Sequence, residues 1–115
     1  MRPLFVENHR VFADTVIQAF FPNDHVTVVA SPRAVWDLAL DAFDAALVDY
    51  DLDDGKGDEV VRALEQRRPN LPVIAVSAHE GGNAMLTAAG ADAVCAKIEL
   101  ARIREVLARV CAPRP

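Results

Sequence analysis

Short apolar runs alternate along this chain with longer segments whose apolar residues recur at helical spacing. Segments 4–6, 25–30, 45–48, 73–76 and 93–96 read as strands. Most are apolar throughout instead of alternating, the pattern of a parallel sheet covered on both faces. Between them the spacing predicts helices over 9–21, 32–43, 58–68, 83–89 and 100–110. In the first, Val11, Phe12, Val16, Ala19 and Phe20 share a face, and Pro22-Asn23-Asp24 then breaks the chain. The second opens on Ser31, an N-cap hydroxyl, with Pro32 at the first helical position. The third buries Val61 and Leu64 and stops before Pro69, and Gly90 closes the fourth. The fifth turns Ile103, Leu107 and Val110 inward and Arg102, Glu105 and Arg109 outward, and it cannot run past Pro113. Strands and helices in strict alternation, joined by right-handed crossovers, give a doubly wound α/β fold with a five-stranded parallel sheet. In such folds ligands bind beyond the carboxyl ends of the strands.

Those ends carry a coherent set of groups. Glu7 and Asn8 follow the first strand, Asp49 the third, Ser77 the fourth and Lys97 the fifth, while Asp51, Asp53 and Asp54 trail Asp49. Carboxylate and amide oxygens suit Mg²⁺, a hard cation that keeps several waters. An aspartate can act as a nucleophile and form an aspartyl phosphate. A lysine and a hydroxyl can hold phosphoryl oxygens as charge shifts in the transition state. The alternation Asp49, Asp51, Asp53 suggests a calcium loop of the EF-hand kind, but the sixth position is Asp54 instead of glycine and the twelfth is Val60 instead of glutamate.

Composition narrows the classes. A chain of 115 residues fits one domain over 1–115, with its core at about 4–110. Hydrophobic residues are 52% and charged residues 25%, enough for a packed core and a soluble surface. A net charge of -5 argues against a nucleic-acid partner, which needs a basic face. Cys95 and Cys111 form no disulfide framework and no metal-ligand spacing, so both read as reduced thiols and a cytoplasmic location is expected. The apolar run after Met1-Arg2-Pro3 ends at Glu7, too short for a signal segment, and no stretch approaches a membrane span.

The order Val6-Glu7-Asn8, Leu47-Val48-Asp49, Val76-Ser77-Ala78 and Ala96-Lys97 resembles the response-regulator receiver domain of two-component signalling. Gly57, Pro72 and Gly90-Ala91-Asp92 match the same family, and the resemblance runs from Leu4 to about Val110. It implies a flavodoxin-like sheet of strand order 2-1-3-4-5 and a signalling module, not an enzyme. Asp49 would accept a phosphoryl group from a phosphohistidine on a histidine kinase or phosphotransfer protein. Glu7, Asn8, Asp49 and the Asp51 carbonyl would hold Mg²⁺. Ser77 would bond a phosphoryl oxygen, Lys97 would pair with the modified aspartate, and small Ala78 would leave access. The side chains of Asp51 and His79 would tune the lifetime of the phosphorylated form. Output would be contact with a downstream protein, with room for a weak homodimer.

Some positions depart from the family pattern. Asn8 replaces the usual second acid, so weak Mg²⁺ binding is expected, with Glu7 or Asp53 reaching toward the ion. Ile98 replaces the proline common after the lysine, Asp53 another common proline, and Val94 a frequent switching aromatic. Ser77 and Gly90 are 13 apart, short for the fourth helix, and Gly81-Gly82 suggests a mobile loop over 79–83. Asn8, Val94 and Ile98 favour an alternative, a pseudo-receiver that keeps the fold as an interaction module; the retained Asp49, Ser77 and Lys97 oppose it. Leu47-Val48-Asp49-Tyr50-Asp51 also resembles the nucleophile motif of haloacid-dehalogenase-type phosphatases, but it lies on the third strand and lacks the later acidic pair. An FMN-binding flavodoxin would need a Ser/Thr/Gly-rich phosphate loop after the first strand, and none is there.

Overall fold

The computed structural model describes residues 1–112. Five parallel strands, β1 (Pro3–Val6), β2 (Thr27–Val29), β3 (Ala45–Val48), β4 (Val73–Ala75) and β5 (Ala93–Val94), lie in the order 2-1-3-4-5. Helices α1 (Arg10–Phe20), α2 (Pro32–Trp36), α3 (Gly57–Arg67), α4 (Glu80–Ala89) and α5 (Ile103–Val110) cover the two faces. The strand pleat sorts the core. Leu4, Val6, Ala46, Val48, Val73 and Ala75 pack toward α2, α3 and α4. Phe5, Ala45, Leu47, Ile74 and Val76 pack toward α1 and α5. The central strands are therefore apolar at every position because each face has its own core.

Element boundaries differ from the sequence reading where tertiary contacts decide. Strand β2 is an edge strand, shorter than expected and half-buried. Strand β5 pairs regularly over two residues, but Cys95 N–H still donates to Ala75 O and Lys97 N–H to Ser77 O. Helix α2 does not run to Phe43. It stops at Trp36, and a short 3₁₀ turn follows at Leu40–Ala42. The interruption frees carbonyls that two arginines at the end of α3 take: Arg67 donates to Leu38 O, and Arg68 to both Leu40 O and Phe43 O. The acidic segment after Asp49 is not a plain loop. Asp51–Leu52 and Gly55–Lys56 pair as an antiparallel hairpin, with Asp54 in the left-handed region at φ 59°.

Helix α1 buries Ala13 and Val16, with Phe12, Ile17 and Phe20 at the margin. Val11 is 82% exposed and Ala19 also faces outward, contrary to expectation, because the buried stripe is centred two residues beyond Val11. Ser31 caps α2 as expected, its Oγ accepting from Ala34 N–H at 3.2 Å. Helix α4 begins at Glu80, so the expected loop over 79–83 is largely its first turn. A 3₁₀ stretch, Lys97–Arg102, leads into α5, which ends at Val110; Pro113 lies outside the described residues.

Candidate functional site

Register brings the strand ends together. Val6 pairs with Val48, so Glu7 and Asp49 are neighbours one residue further on, and Asp49 N–H donates to Val6 O at 3.0 Å. Both carboxylates are almost wholly buried, Glu7 at 1% and Asp49 at 4% exposure. Lys97 reaches them from the end of β5. Its Nζ lies 2.7 Å from Glu7 Oε1 and 3.1 Å from Asp49 Oδ2. The ring of Phe12, on α1, lies under the ammonium at 4.6 Å from ring centroid to Nζ. Two buried carboxylates thus share one cation.

Titration behaviour follows from that crowding. Burial pushes the Glu7 carboxyl above its ordinary 4.5, and the Asp49 charge adds to the rise, while Lys97 and His9 N–H pull the other way. Burial would lower the Lys97 ammonium, but Glu7 and Asp49 outweigh it and hold Lys97 above 10.5. The other Asp49 oxygen, Oδ1, accepts from Tyr50 N–H at 2.8 Å. Behind it, Gly57 is required by close approach: a Cβ there would sit 1.9 Å from Asp49 O.

Ser77 is buried and faces α4. Asn83, in the first turn of α4, clamps its backbone twice: Asn83 Oδ1 accepts from Ser77 N–H at 2.9 Å and Asn83 Nδ2 donates to Ser77 O at 3.0 Å. The Ser77 hydroxyl accepts from His79 N–H at 3.2 Å. Gly82 lets α4 come close; a Cβ there would meet Ser77 Oγ at 2.6 Å. Ala78 is exposed.

Asn8 and Asp51 sit at the mouth. The Asn8 side-chain amide lies 3.1 Å from both the Asp51 carbonyl and Glu7 Oε2, and the hydrogen-bond network assigns its nitrogen to that side. The reverse placement would set its oxygen against acceptors only. The Asp51 side chain turns to Lys56, 2.5 Å away, which lowers its carboxyl below 3.8; His79 and Lys97 contribute less. Asp53 lies in the hairpin turn, its N–H bonded to Ala30 O at the β2 edge.

The donor set fits Mg²⁺ in chemistry: two carboxylates and a carbonyl, all hard oxygens, leaving room for waters. Glu7 Oε1 is buried and receives no hydrogen bond of proper geometry despite the nearby ammonium, so it has capacity for a cation or its water. Among the described residues no group of three His, Cys, Asp or Glu side chains surrounds a metal position. The structure joins Glu7, Asp49 and Lys97 directly, and joins Ser77 to Lys97 through the backbone. Sequence reasoning missed Phe12, which reads as core, and Asn83, which reads only as the start of the fourth helix.

Comparisons with known proteins agree with this geometry. The model of the response regulator receiver domain matches residues 4–107. The response regulator protein PilR of Pseudomonas aeruginosa is 36% identical over 74 residues, covering 62% of this chain and 17% of that protein, so the chain spans well under two thirds of that relative. The receiver domain of the sensor histidine kinase PA1611 from Pseudomonas aeruginosa, with magnesium coordinated in its active site cleft, is 26% identical over 96% of each chain, TM-score 0.78. The non-phosphorylated HemR receiver domain from Leptospira biflexa is 24% identical over 99% of this chain and 97% of that one, TM-score 0.82. With the family's motif residues gathered at the carboxyl ends of a 2-1-3-4-5 sheet, the chain belongs to the response regulator receiver domain family of two-component signalling.

Proposed function

We propose that this chain is a single receiver domain whose Asp49 accepts a phosphoryl group from a phosphohistidine on a histidine kinase or phosphotransfer protein. An Asp49 carboxylate oxygen attacks phosphorus, the phosphorus–nitrogen bond breaks, and the departing imidazole nitrogen takes a proton. The observation that carries this reading is Lys97 Nζ bridging Asp49 and Glu7 in a buried pair of contacts. That ammonium is already placed beside Asp49, where it would meet the oxygens of a phosphoryl group joined to that residue. Ser77 would bond a phosphoryl oxygen, and Tyr50 N–H holds Asp49 in place. Mg²⁺, when bound by Glu7, Asp49 and the Asp51 carbonyl, would neutralise phosphoryl charge, as suits a fold relative with magnesium in its cleft. The product would act by contact with a downstream protein in the cytoplasm, as a signal and not as a turnover catalyst. No helix among the described residues is long and apolar enough to cross a membrane.

The test is intact mass after incubation with acetyl phosphate and Mg²⁺. One phosphoryl adduct is expected, absent in Asp49→Asn. An adduct that persists in Asp49→Asn, or none at any Mg²⁺ concentration, overturns the reading. The second outcome would favour an unphosphorylated interaction module, the alternative that the Asn8 arrangement supports.

A further inference from the structure

We propose that the Asn8 side-chain amide is a built-in occupant of the cation position, so that a divalent ion binds only by displacing it. This rests on the reading of the site as a Mg²⁺ site. One Asn8 amide atom lies 3.1 Å from both Glu7 Oε2 and the Asp51 carbonyl, and two acceptors assign the nitrogen, as donor, to that position. Those are two of the oxygens that would otherwise face the ion. The hydrogens of a nitrogen so placed carry partial positive charge and point at these two acceptors. Glu7 Oε2 also accepts from His9 N–H at 3.2 Å, and Lys97 lies on the other side of the same carboxylate. Apart from Glu7 Oε1, which meets only the Lys97 ammonium, the carboxylate oxygens of Glu7 and Asp49 therefore all have hydrogen-bond donors without a third negative charge.

The consequence differs in sign from a simple loss of charge. If Asn8 were a neutral ligand through its oxygen, removing it would weaken Mg²⁺ binding. If its nitrogen competes with the ion, removing it leaves two acceptors free for the ion and strengthens binding. An acid at the same position removes the competitor and adds charge. The two hydrogen bonds that must break link a neutral donor to a carboxylate and to a carbonyl, so the penalty is modest but measurable.

Titration calorimetry with Mg²⁺ alone, on the full chain, reads this directly in wild type, Asn8→Ala and Asn8→Asp. Asn8→Ala is expected to bind Mg²⁺ roughly 3- to 10-fold tighter than wild type. Asn8→Asp should bind about 10- to 100-fold tighter, since a unit charge close to the ion adds to the lost competition. Weaker binding by Asn8→Ala than by wild type overturns the inference and makes the amide oxygen a ligand. Failure of Asn8→Asp to bind Mg²⁺ at all overturns the reading of a Mg²⁺ site beneath it. If Asn8→Ala fails to fold by circular dichroism, wild type alone decides. Its Asn8 side-chain NH₂ signals in ¹⁵N-edited spectra should exchange slowly with water in the metal-free protein and quickly at Mg²⁺ saturation. Rapid exchange from the outset overturns the proposal.

Discussion

At the scale of single residues, the site is a set of charges and hydrogen bonds held in a dry place, and its least expected member is Asn83. Ser77 is 1% exposed, and Asn83 is the partner that its N–H finds in that buried place. Asn83→Ala leaves that N–H without a partner, while the Ser77 carbonyl keeps the bond from Lys97 N–H. A loss of about 1–3 kcal/mol is expected from the orphaned donor. Asn83→Asp should fall between, because a carboxylate can accept from Ser77 N–H but cannot donate to its carbonyl. Urea unfolding of the three proteins measures this, and an unchanged midpoint in Asn83→Ala would show that the clamp is replaceable. Glu7, Asp49, Ser77 and Lys97 were legible in the sequence because a parallel sheet sends every strand end to one edge. Asn83 and Phe12 were not, since each acts from a helix whose approach to the sheet depends on packing that spacing does not reveal.

At the scale of elements, the start of α4 is where the fold meets the site most tightly. Gly81 and Gly82 read as hinge material, yet the structure gives them opposite surroundings. A Cβ on Gly81 meets nothing within 4 Å, whereas one on Gly82 meets Ser77 Oγ at 2.6 Å and Tyr50 Cβ at 2.9 Å. Gly81→Ala should therefore stabilise the protein by up to about 1 kcal/mol, through helix propensity and reduced freedom of the unfolded chain. Gly82→Ala should destabilise it by about 1–3 kcal/mol through overpacking, partly offset by that same gain. Thermal unfolding of the two variants should shift in opposite directions; a shift in the same direction would mean that α4 can slide. The wrong expectation for 79–83 came from weighing glycine pairs as breakers when a buried neighbour was the reason for one of them. Helix α2 failed for a related cause. Its period continues to Phe43, but Arg67 and Arg68, more than twenty residues away in sequence, take the carbonyls that a continuous helix would keep.

At the scale of the whole molecule, both ends of the sheet are rich in acid, and only position in the fold separates their roles. The carboxyl ends hold Asp49 and Glu7 against the Lys97 ammonium. At the opposite ends Asp24, Asp44 and Asp92 act as fasteners, placed before β2, β3 and β5. Asp44 accepts from Arg2 N–H at 2.7 Å and Asp92 from Val73 N–H at 2.8 Å. Asp24 accepts from the Met1 ammonium at 2.8 Å and pairs with Arg104 of α5 at 2.5 Å. The net charge of -5 could not have sorted these acids.

Asp24 yields a prediction with a definite sign. The hydrogen bond from the Met1 ammonium is the main reason its carboxyl lies below the ordinary 3.8, with Arg104 adding and burial opposing. A lowered carboxyl contributes stability that is full above its unfolded value and lost as pH falls through its folded value. Asp24→Asn removes that contribution at every pH. It should therefore cost up to about 1 kcal/mol at pH 6, a modest figure because the pair lies near solvent. The cost should vanish below the lowered folded value, where wild-type Asp24 is itself neutral. Urea unfolding of both proteins from pH 6 downward should show two curves that converge on the acid side. Curves that stay parallel would assign the loss to packing around the side chain, and curves that coincide at pH 6 would leave Asp24 with no part in holding α5 to the start of the chain.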